Sequence, residues 1–191
     1  MTARVVVLAS GSGTLLQSLI DAAARGDVDA RIVAVVSDVP TAAALDRARA
    51  AGIESMACRP ADYADRSAWN DALLVAVAAH APDWVVSAGF MRILGPVFVD
   101  SFAGRVINTH PALLPSFPGA HAVRDALRYG VKVTGCTIHV VDHGVDTGPI
   151  IAQRAVAVEP GDDEDSLHER IKQVERQLLV ETLAVLIGET T

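Results

Sequence analysis

Short runs of apolar, mostly β-branched residues alternate with stretches of helical periodicity, and this constrains the fold more than any other feature. Residues 5–8, 31–36 and 84–88 read as strands, residues 54–57 as a weaker one, and residues 106–108 as part of a fifth. Between them, residues 16–24 read as a helix with Leu16, Leu19, Ile20 and Ala23 on one face. A second helix, 42–51, is stopped by Gly52, and a third, 66–81, carries Trp69, Leu73, Leu74, Val77 and Ala78 and closes at Pro82. Continuously apolar strands are buried on both faces, so the pattern predicts a parallel sheet covered by helices on both sides. The pattern changes after residue 110. A short helix, 123–129, ends at Gly130; two β-rich runs, 133–141 and 150–158, flank a loop over 142–149 with two glycines. Residues 163–187 form a last amphipathic helix, with Leu167, Ile171, Val174 and Leu178 in register. The expected fold is α/β: doubly wound and mainly parallel, with helices on both faces and antiparallel strands added in the C-terminal half. No repeat, linker or low-complexity stretch interrupts residues 1–191, which read as one domain.

The charge balance excludes one class of function. Sixteen Lys and Arg face 23 Asp and Glu, a net charge of −7, and no basic cluster is present. Nucleic-acid affinity drawn from phosphate neutralisation is therefore not expected. No run approaches a membrane span, and the apolar start is too short for a signal-peptide core. Two cysteines, Cys58 and Cys136, cannot make a disulfide framework and fit a reducing, cytoplasmic setting.

Ser10-Gly11-Ser12-Gly13-Thr14-Leu15-Leu16 joins the first strand to the first helix. Glycines allow close backbone approach to a ligand, and a helix N-terminus offers unpaired N–H groups to an anion. Several readings stay open. A dinucleotide fingerprint wants a third glycine where Leu16 stands, although Asp38 ends the second strand where a ribose-binding acid would sit. A Walker loop wants a lysine where Thr14 stands. A monophosphate bound by Gly11, Ser12, Gly13 and Thr14 fits best, and a plain tight turn is the remaining alternative.

The segment Ile107-Asn108-Thr109-His110-Pro111 is more informative. Strand side chains alternate, so Asn108 and His110 share a face, about 7 Å apart. Pro111 keeps His110 extended. Asp146 adds a carboxylate in a constrained turn before Gly148-Pro149. Each alone suits a satisfied polar residue or a turn former; together they suggest a catalytic set.

Four motifs occur in order: Ser10-Gly11-x-Gly13; Ala88-Gly89-Phe90-Met91-Arg92-Ile93-Leu94; Asn108-x-His110-Pro111-x-Leu113-Leu114-Pro115; and Asp146-x-Gly148-Pro149. In these the chain resembles the phosphoribosylglycinamide formyltransferase family over nearly its whole length. The resemblance implies a transfer of the formyl group from 10-formyltetrahydrofolate, as co-substrate, to the amine of glycinamide ribonucleotide in purine synthesis, with no metal. It implies catalytic roles for Asn108, His110 and Asp146. Substrate contacts are implied at Gly11, Ser12, Gly13, Thr14, Leu15 and Pro111, with Glu175 towards the glycinamide side. The folate pocket is implied at Arg66, Met91, Arg92, Ile93, Leu94, Val141 and Asp142. Residues 1–100 would then hold the phosphate and residues 101–191 the chemistry and the folate. Leu15 departs from the family, which often has asparagine there; a side-chain phosphate contact is lost and backbone amides must do more. The family also implies a cis Leu114–Pro115 bond and a substrate-side loop near His121. Its members include monomers and dimers, so a homodimer stays open.

Rivals on the same domain are formyl transfer to tRNA or to an amino sugar, and formyl-folate hydrolysis. The tRNA enzyme is expected to carry a further RNA-binding domain and the hydrolase an additional N-terminal one. A non-catalytic nucleotide-binding module would leave Asn108, His110 and Asp146 without a common purpose. His139 lies in a β run, so its spacing to His143 does not favour metal; it reads as a packed or pocket-lining residue. His80 and His168 sit in helical patterns and are expected in solvent, and Cys136 in the core.

Overall fold

The computed structural model describes residues 2–190. One seven-stranded sheet runs through it, built from β1 (Ala3–Leu8), β2 (Ala30–Ser37), β3 (Glu54–Ala57), β4 (Trp84–Ser87), β5 (Val106–His110), β6 (Val133–Val140) and β7 (Ile150–Ala157). The spatial order is β3-β2-β1-β4-β5-β6-β7. The first five strands are parallel; β6 and β7 are antiparallel to their neighbours. The expected doubly wound sheet with antiparallel additions is present.

Helices α1 (Thr14–Arg25), α2 (Ala43–Ala50), α3 (Arg66–Ala78), α4 (Pro96–Ser101), α5 (Ala122–Tyr129) and α6 (Glu164–Thr190) flank it. Alternation along β1 shows why both faces need cover. Val5 and Val7 join one buried cluster with Leu16, Leu19, Leu45, Ile171 and Leu179, from α1, α2 and α6. Val6 and Leu8 join the other, with Trp69, Leu73 and Phe98, from α3 and α4. Right-handed crossovers impose this division: the chain winds outward from β1 to β3, then returns across the sheet to β4.

Two elements escaped the sequence reading, α4 and a 3-10 turn at Pro60–Asp62. α3 stops three residues before the expected end. Pro82 disfavours helix at Ala81, which adopts φ 42° instead. β5 extends to His110, two residues further than the segment recognised in sequence. His80 and His168 are half-buried rather than solvated, and burial pulls His168 below its ordinary pKa.

The strand order puts a topological switch between β1 and β4, where chain leaving their C-terminal ends turns to opposite faces. Leu8, Ser87 and Asn108 pair in one row across β1, β4 and β5. The glycine loop, the 88–94 loop and His110 therefore open at one edge. Trp69 supports this edge from below: it is 1% exposed, donates Nε1–H to the Cys58 carbonyl at 2.8 Å and stacks on Phe90 at 6.5 Å. Trp69→Ala removes a large core side chain and orphans that carbonyl, so it should cost about 3–5 kcal/mol in urea unfolding. A loss under about 1 kcal/mol would contradict this account of the core.

Candidate active site

Asn108 and His110 emerge on one face of β5, as alternation requires, while Thr109 faces the other. Antiparallel pairing sets His139 of β6 opposite Asn108. The Asn108 amide nitrogen lies 3.1 Å from His139 Nε2. His139 Nδ1 donates to the Val140 carbonyl at 2.9 Å. Asp146 reaches the same point from the β6–β7 turn. One carboxylate oxygen is 3.3 Å from His110 Nδ1, and the other is 3.5 Å from His139 Nε2. The backbone N–H of Gly119 donates to Asp146 at 2.7 Å.

The proton positions follow from partners. His110 Nε2 donates to the Phe117 carbonyl at 2.8 Å, and Nδ1 faces a carboxylate. His139 Nε2 lies between amide and carboxylate: unprotonated, it accepts from Asn108; protonated, it donates to Asp146. Burial disfavours an ionised Asp146, but His139, the Gly119 amide and positive charge at His110 outweigh it and hold its pKa below the ordinary 3.8. Two of the three non-glycine residues with positive φ among the described residues sit here, Phe117 at 54° and Asp146 at 55°. Strained backbone held by surrounding contacts is a common mark of functional sites.

The glycine loop is tied to its neighbours. Ser10 N–H donates to the Gly89 carbonyl at 3.1 Å, and Met91 N–H donates to Ser10 Oγ at 2.8 Å. Ser10 Oγ donates in turn to Asp38, whose other oxygen accepts from Arg92 Nε at 2.7 Å. Asp38 is buried and fully engaged, which removes it as a ribose ligand and with it the support for the dinucleotide reading. Arg92 is therefore neither a plain surface residue nor an unpaired charge.

The other expected site residues divide. Leu15 turns its side chain into the core, so only its backbone faces the loop. Met91 and Ile93 are 71% and 56% exposed and form an open apolar surface on the 88–94 loop, while Val141 and Asp142 are both half-buried. Leu94 is instead packed in the core with Trp69. Arg66 donates to the Ile93 carbonyl at 2.6 Å and lies over the Trp69 ring. It braces the 88–94 loop, where the resemblance implied a folate contact. Pro111 follows His110 at the cleft, and Leu114–Pro115 is cis. His121 is exposed at the start of α5. His139 is the residue sequence reasoning undervalued; its only signal is the β5–β6 register, which composition does not reveal.

Glu175 stands apart from the three polar residues. Its carboxylate is buried under the opposite face of β5, where Thr109 bonds it. Burial pushes its pKa up to about 7, against the pull of Thr109 and two basic neighbours. Burial likewise pushes the nearby Cys136 thiol up to about 12, so it is no nucleophile. Among the described residues, no group of three or more His, Cys, Asp or Glu is placed to hold a metal ion, and no helix is long and apolar enough to cross a membrane.

A carboxylate, two imidazoles and an amide meet at the C-terminal edge of a doubly wound sheet, where open α/β sheets bind their ligands. The model of the formyl transferase family matches residues 3–183. Phosphoribosylglycinamide formyltransferase of Mycobacterium tuberculosis is 60% identical over 184 residues, which is 96% of this chain and 85% of that one. The trifunctional purine biosynthetic protein adenosine-3 of Drosophila melanogaster is 45% identical over 190 residues, covering 98% of this chain and 14% of that protein. The crystal structure of glycinamide ribonucleotide transformylase 1 from Symbiobacterium toebii superposes with a TM-score of 0.96 at 42% identity, over 98% of this chain and 89% of that one. The chain belongs to the phosphoribosylglycinamide formyltransferase family.

The buried Glu175 gives a pH signature. An acid whose pKa is raised on folding stabilises the protein fully below its unfolded pKa, and that stability is lost as pH rises through the folded value. Between about pH 4.5 and 7 the native state holds the extra proton, so stability falls as pH rises. Glu175→Gln should remove roughly 3 kcal/mol of that decline, measured by urea unfolding at pH 5 and pH 8. Identical declines in both proteins would contradict the assignment.

Proposed function

We propose that this protein transfers the formyl group of 10-formyltetrahydrofolate to the amine of glycinamide ribonucleotide, a step in purine biosynthesis. The observation that carries the reading is one polar cluster in a chain of this family: Asp146 lies 3.3 Å from His110 and 3.5 Å from His139, and His139 lies 3.1 Å from the Asn108 amide. The Met91 and Ile93 wall supplies apolar surface for the pterin, and the amides of Gly11–Thr14 supply donors for the substrate phosphate.

The chemistry follows from what each side chain can donate or accept. As the substrate amine adds to the formyl carbon, the carbonyl electron pair moves to the formyl oxygen. The Asn108 amide and the His110 imidazolium donate to that oxygen, His110 by exchanging its bond to the Phe117 carbonyl for one to the substrate. Asp146, 3.3 Å from His110 Nδ1, fixes the orientation of that ring. When the oxyanion collapses, the bond to N10 of the folate breaks. N10 gains a proton, and the attacking nitrogen loses one. Asp146 and His110, bridged by water, are placed to relay that proton. No covalent enzyme intermediate is required.

A formyl-transfer assay with glycinamide ribonucleotide and 10-formyltetrahydrofolate tests the reading. Wild type should turn over, and His110→Ala should lose about 10²–10³-fold in kcat, the loss typical of one oxyanion donor. Absence of wild-type activity refutes the function, and unimpaired His110→Ala refutes the mechanism.

A further inference from the structure

Phosphate recognition by the glycine loop poses a charge problem. The chain carries −7, and Leu15 places aliphatic carbon in the core where a polar side chain would face the anion. What the loop itself offers is N–H groups, and their direction must be fixed.

α2 fixes it. Its Ala44 N–H donates to the Gly11 carbonyl at 3.1 Å. Half-buried Arg47, one turn on, donates Nε–H to the Ser12 carbonyl at 2.8 Å and Nη1–H to Gln17 of α1 at 3.2 Å. A trans peptide places C=O and N–H on opposite sides. With the carbonyls of residues 11 and 12 bound to α2, the N–H groups of Ser12 and Gly13 point away from it. Neither has an acceptor among the described residues. Gly13 is required by this approach: at φ 69°, a Cβ there would sit 2.7 Å from Ala44 Cα. Arg47 also lines a cavity of about 740 Å³ between α1 and α6, together with Thr14, Gln17, Gln173 and Arg176. Its Nη2 has no hydrogen-bond partner among the described residues and stays available to an anion.

We propose that Arg47 is a positioning residue for the phosphate end of the substrate: it holds the Ser12 carbonyl so that the loop amides face the anion, and brings positive charge beside them. This rests on reading the glycine loop as the phosphate site. A guanidinium is suited to both tasks, because its planar fork holds two acceptors and stays charged.

The test is steady-state kinetics of wild type, Arg47→Gln and Arg47→Lys, with inorganic phosphate as a competitor against glycinamide ribonucleotide. Arg47→Gln should raise the KM for glycinamide ribonucleotide about tenfold or more, with kcat and the KM for formyl folate within about twofold. The inhibition constant of phosphate should rise by the same factor. Arg47→Lys, which keeps the charge and loses the fork, should fall between, and it carries the test alone if Arg47→Gln does not fold. A purely structural role would depress kcat and both KM values together. Competition by phosphate in wild type, with unchanged substrate KM in the variants, overturns the Arg47 assignment and leaves the loop reading standing. No competition in wild type removes the loop reading and the proposal with it.

Discussion

The site depends on one half-buried carboxylate, that of Asp146. Burying Asp146 is unfavourable unless its charge is met, and three groups from three segments meet it: His110 at the end of β5, His139 on β6, and the Gly119 amide. The turn that delivers it is equally constrained. Asp146 takes a left-handed backbone, and a Cβ at the buried Gly148 would lie 1.8 Å from the Val140 carbonyl. The antiparallel departure of β6 and β7 from an otherwise parallel sheet therefore has a purpose: it sets His139 beside Asn108 and lets the following turn close over His110.

The second constraint is the tie between loops. Ser10, Asp38, Arg92 and Met91 join the ends of β1, β2 and β4 through hydrogen bonds and an ion pair. Arg66 and Trp69 brace the same loop from α3. The cleft is thus framed by rigid contacts on the β4 side and by α2 on the glycine-loop side. An acidic chain and an anionic substrate are compatible on the proposed reading, because net charge describes the whole surface whereas loop amides and Arg47 would set the potential at the glycine loop.

Sheet, helices and the shared face of Asn108 and His110 on β5 were legible because they follow from periodicity: apolar alternation in β1 and the Asn108–His110 spacing are local properties of sequence. The cis Leu114–Pro115 bond and Asp146 were legible only through the family's motifs. α4 was missed because six residues are too few to show a period. His139 was undervalued, and Arg47 not singled out, for a different reason: their placements depend on strand register and on the packing of α2 against a distant loop. The Phe117 carbonyl and Gly119 amide are backbone groups, which any residue type supplies, so composition carries no trace of them. A motif position fixes a neighbourhood and not the direction of a side chain: Leu94 packs in the core, and Arg66 bonds the Ile93 carbonyl.

Single-turnover formyl transfer by Asp146→Asn tests the central role of the carboxylate most directly, since it keeps the shape of the side chain and removes its charge. The chemical step should slow by about 10²-fold or more, with the Kd of each substrate little changed. A chemical step at the wild-type rate would contradict the account.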